Sequence, residues 1–105
     1  MGQPEARLQR SIQKALKVEY GRDILVFKIH GGPMMAAGLP DLIGCVGGRF
    51  FGIEVKMPER RDNVSTIQRH VHDTISRAGG AVTVASSVAD ALSFVARVNS
   101  RGVTS

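Results

Sequence analysis

The chain of 105 residues carries one cysteine, Cys45. A lone cysteine excludes an intrachain disulfide and any multi-cysteine zinc site. It falls in a strand-like stretch, so the sequence predicts a small buried hydrophobe rather than a reactive thiol. Apolar runs are short, and none approaches the ~20 residues that cross a bilayer. The opening MGQPEARLQR lacks the apolar stretch of a signal peptide. A reducing, cytosolic setting without a membrane segment is therefore expected. The three histidines, His30, His70 and His72, are not spaced like zinc ligands. Acids are also scarce: nine Asp and Glu stand against fourteen Lys and Arg, for a formal charge of +5. Arginine outnumbers lysine ten to four, and its planar fork suits bidentate phosphate contact. A small basic domain of this kind is a candidate for nucleic-acid binding, although many basic domains bind no polyanion and charge alone names no partner.

What is present reads as one domain spanning residues 1–105. Leu8, Ile12, Ala15, Leu16 and Glu19 follow helical spacing across residues 4–20, with Pro4 in the first turn and Gly21 at the exit. ILVFKI, 24–29, is a β-rich run, and HGGPMMAAG, 30–38, a flexible loop. Two apolar strands, 39–46 and 49–56, flank Gly47-Gly48, a pair suited to a two-residue hairpin turn. A polar connection, 57–65, leads to a helix over 66–78 with Ile67, Val71, Thr74, Ile75 and Ala78 facing inward. Gly79-Gly80 ends that helix. AVTVA, 81–85, is a short strand, and Ser87 with Asp90 forms a capping box for a last helix with Val88, Ala91, Leu92, Val95 and Val98 as its core stripe. Residues 100–105 are expected as a flexible tail. The order α-β-β-β-α-β-α predicts an α/β fold, a mixed sheet flanked by helices.

The hairpin is the informative stretch. With Gly47-Gly48 as its turn, Cys45 meets Phe50, Ile43 meets Gly52, and Asp41 meets Glu54, all on one face, with Lys56 next in the row. The opposite face holds Leu42, Val46, Phe51, Ile53 and Val55 and is core. Two directly opposed carboxylates sit roughly 4.5–5.5 Å apart at Cβ and repel unless something positive lies between them. A hard divalent cation with oxygens at ~2.1 Å, Mg²⁺ or Mn²⁺, meets that need. A solvated face neutralised by Lys56 is the other reading, and a β-bulge would shift the register by one residue. Pro40 removes a ladder donor at the strand start, which leaves Asp41 facing an opening.

The spacing Pro40-Asp41, then Glu54-Val55-Lys56, resembles the PD-(D/E)xK nuclease signature. "GLPDLIGCVGGRFFGIEVK", followed by "STIQ" opening a helix that ends "AGG", is most similar to the VRR-NUC branch, in its stand-alone phage or bacterial form. The resemblance covers nearly the whole chain from Glu5 onward. It implies a restriction-endonuclease-like fold, with Asp41 and Glu54 as metal ligands, the Val55 carbonyl as a backbone ligand, Lys56 as catalytic lysine, Gln68 as the helix glutamine and Glu5 as the acid of the first helix, either metal-binding or catalytic. An acid in a first turn also compensates a helix dipole, and S-x-x-Q from Ser65 to Gln68 is also a capping box. The resemblance further implies Mg²⁺- or Mn²⁺-dependent hydrolysis of DNA phosphodiesters by a homodimer similar to Holliday-junction resolvases, acting in the cytoplasm of a bacterial or phage-infected cell, close to the nucleoid. Flap, nicking or restriction-like cleavage, and a non-enzymatic basic DNA-binding module, are the alternatives. Arg60 and Arg61, just beyond the site strand, are candidate DNA contacts or merely solvated cations. His30 is at most a rim residue, and His70 and His72 are read as surface or phosphate-contacting. Loop 31–38, with Met34 and Met35, is a candidate flap or dimer contact.

Overall fold

Both residues of the Gly47-Gly48 turn have positive φ, 57° and 77°, the conformation a type I′ hairpin demands and side chains resist. The computed structural model describes residues 3–31 and 37–104, with side chains through residue 100. The turn joins β2 (Leu42–Val46) to β3 (Arg49–Val55). It sets the expected register, with Cys45 opposite Phe50, Ile43 opposite Gly52 and Leu42 opposite Ile53. β1 (Ile24–Lys28) pairs antiparallel with β2, and β4 (Ala81–Ala85) pairs parallel with β3, giving one four-stranded mixed sheet in the order β1-β2-β3-β4. A parallel neighbour needs a crossover, and α2 (Thr66–Arg77) supplies it.

The sheet has two unlike faces. Strand alternation sends Val26, Leu42, Val46, Phe51, Ile53 and Val55 to one side, where α1 (Gln3–Tyr20) and α3 (Val88–Thr104) cover them. Ile12 and Leu16 of α1 meet Ala91, Phe94, Val95 and Val98 of α3 in the same core. Phe51 and Phe94 stand edge to face at 6.4 Å, so an aromatic outside the expected stripe anchors α3. Gln9, also outside the expected stripe of α1, is buried, whereas Glu19 is exposed.

α2 lies against the other face and contacts β4. None of its residues is fully buried; Ile67, expected inside, is 50% exposed, and Thr74 and Ala78 are also exposed. Val71 and Ile75 are half-buried as its inner side, and both ends are closed by hydrogen bonds. Ser65 and Gln68 form a reciprocal capping box. At the other end Gly80 N–H donates to Ile75 and Gly79 N–H to Ser76, a Schellman closure. Because α2 covers only part of this face, Cys45 is exposed, contrary to the expectation of burial. Its row neighbours Leu25 and Phe50 are 58% and 42% exposed.

Other departures are local. Residues 39–41 precede the strand proper, and Asp41 occupies a bend. Ser87 caps α3 as expected, its Oγ accepting from Asp90 N–H, but the return bond of the box reaches one residue further out, the Asp90 carboxylate accepting from Ser86 N–H. α3 continues to Thr104, across most of the segment expected as a tail. The core of loop 31–38, including Met34 and Met35, lies outside the described residues. No helix among the described residues is long and apolar enough to cross a membrane.

Candidate functional site

Asp41 is placed by its backbone. Ile29 N–H donates to the Asp41 carbonyl at 2.8 Å, which prolongs the β1–β2 ladder by one residue beyond Leu42. Pro40, fully buried, packs over Gly52, where a Cβ would lie 2.7 Å from the proline ring. Gly52 therefore makes the room that seats Pro40-Asp41 against β3. The Asp41 side chain bends across to accept the Val55 N–H at Oδ2, 2.8 Å away.

Glu54 lies opposite Asp41 by continuation of the register and is only 2% exposed. The two carboxyl groups are close enough to share a hydrogen bond. Burial, then the Asp41 charge, pushes Glu54 up to about 8, with smaller contributions from the Asp41 hydrogen bond and the Glu5 charge. Lys56 Nζ stands 3.8 Å from Glu54 Oε2 and opposes this rise. Its attraction is outweighed, so without a cation Glu54 is mainly protonated at neutral pH and the Lys56 contact is not a full ion pair.

Gln68 serves in two capacities at once. Its Oε1 accepts from Ser65 N–H at 2.9 Å, closing the helix cap, while its Nε2 donates to Glu54 Oε2 at 3.0 Å. The same cap that starts α2 thus aims an amide at the buried acid. Glu5, in the first turn of α1, is near enough to act on Glu54 electrostatically. It does not join Asp41 and Glu54 in a three-acid cluster: among the described residues no three His, Cys, Asp or Glu side chains gather into a metal-holding group.

His72 was placed by sequence only on the surface or against phosphate. It follows Gln68 by one helical turn and points the same way, with Nε2 3.9 Å from Glu54 Oε1. Burial lowers its pKa, the Asp41 charge partly opposing, so it is largely neutral at pH 7. Its i, i+4 spacing from Gln68 was the available signal. His30 and His70 are exposed. Arg60 and Arg61 are exposed too, at the end of the 3₁₀ turn Pro58–Arg60. Arg61 Nη1 bonds the Asp90 carboxylate at 3.0 Å, and the Ser86 N–H and Arg61 hold that carboxyl below the usual range.

The donor set suits a hard divalent cation. Glu54 Oε1 is buried with no hydrogen-bond partner among the described residues, and a second carboxylate adjoins it. An ion here would replace the proton that burial and repulsion force onto the pair. No family model, no curated protein and no solved structure matches this chain.

Proposed function

We propose that the protein is a metal-dependent DNA endonuclease with a PD-(D/E)xK fold of the VRR-NUC type, acting as a homodimer on branched DNA and foremost on four-way junctions. One observation carries this reading: Asp41, Glu54, Lys56 and Gln68, spread over 28 positions of sequence, converge at the same end of β3.

Asp41, Glu54 and the Val55 carbonyl would hold the ion, and Mg²⁺ or Mn²⁺ so bound supplies Lewis-acid polarisation of a phosphate and acidification of a water. Asp41 is oriented for this by the Val55 N–H, and Glu54 by the Gln68 amide. Loss of the Glu54 proton accompanies occupancy. Lys56 Nζ, beside Glu54, positions the attacking water and offsets the negative charge that grows on phosphate oxygens. Glu5, beyond the pair, orients water at the rim. The open apolar face formed by Leu25, Phe27 and Phe50, with the half-buried Ile43 between them, supports self-association.

The test is cleavage of labelled four-way junction, flap, duplex and single strand side by side, with Mg²⁺, Mn²⁺ or EDTA. Wild-type protein is expected to cut the junction only with metal, and Lys56→Ala to bind but not cut. Cleavage by Lys56→Ala at the wild-type rate, or no cleavage of any substrate with either metal, overturns the assignment. A monomer that cuts flaps or nicked duplex in preference selects the alternative nuclease reading.

A further inference from the structure

A groove between residues 61–64 and α2 is lined by Arg61, Asp62, Val64, Arg69, His72 and Val84. His72 lines this groove and its Nε2 stands 3.9 Å from Glu54 Oε1, so the groove adjoins the acid site across the imidazole ring. The cations of the groove differ. Arg61 is paired with Asp90, Nη1 to Oδ2 at 3.0 Å, which offsets its charge. Arg69 is anchored but not neutralised: its Nε donates to the Val64 carbonyl at 3.2 Å, and its terminal nitrogens make no ion pair among the described residues. A guanidinium has five N–H donors, and one bond to a carbonyl leaves the fork free while fixing its direction. Asp62 is the acid of the groove, at its outer lip, exposed, and Val64 and Val84 form apolar walls. A preset guanidinium between apolar walls matches one phosphodiester group flanked by sugars.

We propose that this groove carries the nucleic-acid strand next to the cleaved bond, with Arg69 as its fixed phosphate ligand. The proposal rests on the nuclease reading above and adds the path of the strand. It separates Arg69 from the basic stripe on α1, where Arg10, Lys14 and Lys17 line a shallow groove elsewhere on the surface. Arg69 and His72 are one helical turn apart on α2 and line the same groove, so a phosphate bound by Arg69 lies beside the imidazole that reaches Glu54.

The experiment is fluorescence anisotropy with a labelled four-way junction and a matching duplex in EDTA, across a series of NaCl concentrations. Binding is thereby read without chemistry. Arg69→Gln is expected to weaken junction binding about 5- to 10-fold at moderate salt and to lower the salt slope by about one. Arg69→Lys, which loses the Val64 bond but keeps the charge, is expected to retain the wild-type slope even where its melting temperature falls. Affinity and slope unchanged in Arg69→Gln overturn the proposal. So does a larger loss in Lys14→Gln/Lys17→Gln than in Arg69→Gln, or a wild-type protein that binds neither DNA. Binding that depends on Arg69 without metal-dependent cleavage leaves the groove standing and removes the nuclease reading. Cleavage with an indifferent Arg69 does the reverse.

Discussion

The two faces of one sheet obey opposite rules, though the same strands build both. On the side covered by α1 and α3, Phe51, Ile53 and Val55 are wholly buried. One residue away in the pleat, Phe50 is 42% exposed, Gly52 is a seat for Pro40, and Glu54 is a buried acid with one oxygen that has no hydrogen-bond partner among the described residues. On the first face apolar groups meet apolar groups, with Gln9 of α1 the buried polar side chain beside them. The second holds what folding alone would not select, an acid pair that repels itself and an uncovered apolar patch. Stability resides on one side and unmet chemistry on the other.

Substitutions at neighbouring positions test that division. The largest effect is expected from Phe51→Ala, about 3–5 kcal/mol of lost stability, because it empties the centre of the packed face. Phe50→Ala, adjacent in sequence, should cost under about 1 kcal/mol. Urea denaturation of the two variants checks this, and equal losses would erase the contrast. Next is Asp41→Asn, expected to slow junction cleavage about 100- to 1,000-fold. Its melting temperature in EDTA should be unchanged at neutral pH, where Glu54 already holds a proton, and higher above pH 8, where the substitution relieves repulsion; a large fall would mean that Asp41 is chiefly a structural cap for Val55.

The pH dependence follows from Glu54, whose folded pKa is raised to about 8 from an ordinary 4.5. Between those values the folded state binds more protons than the unfolded one, so stability falls as pH rises through the window and levels off above it. In the metal-free protein this decline is expected to amount to at most about 5 kcal/mol. Glu54→Gln should remove it and be the more stable form at pH 8. Thermal melts from pH 5 to 9 in EDTA decide the matter, and parallel curves for variant and wild type would place the strain elsewhere. Saturating Mn²⁺ should restore stability to the wild type at high pH, because an ion substitutes for the proton. The smallest effect on the protomer is expected from Leu25→Asp with Phe50→Asp. These exposed sites should change its stability by less than about 1 kcal/mol while shifting sedimentation from dimer to monomer. A wild type that sediments as a monomer would remove the proposed dimer, and a dimer left unshifted by the substitutions would put its contact on another surface.

Much of the site was legible because hairpin register is arithmetic. A two-glycine turn and strict alternation brought Asp41 opposite Glu54 and sent Phe51, Ile53 and Val55 to the core before any tertiary contact was considered. The Ser65-Gln68 spacing announced the cap that also orients Gln68. Helical faces were less legible. The period of α2 marked Ile67 as interior, yet it is half exposed, because the helix leans on β4 and leaves the β1–β2 part of its face open. Cys45 was misplaced for the same reason: alternation says which face a residue occupies but not whether anything covers that face. His72 carried one signal, its i, i+4 spacing from Gln68, but that Glu54 lies beneath it, and that Arg69 is tied to the Val64 carbonyl beside α2, depends on how the elements meet.

Local chemistry along the chain was enough to determine the elements, the hairpin register and the sharing of one face by two acids and a lysine, since turn type and pleat act over a few residues. Only the tertiary structure decided which face was covered, that Glu54 is buried enough to hold a proton near pH 8, and that α2 brings Gln68 and His72 to it. Burial and through-space charge depend on residues distant in sequence, and no periodicity along a single chain encodes how two surfaces meet.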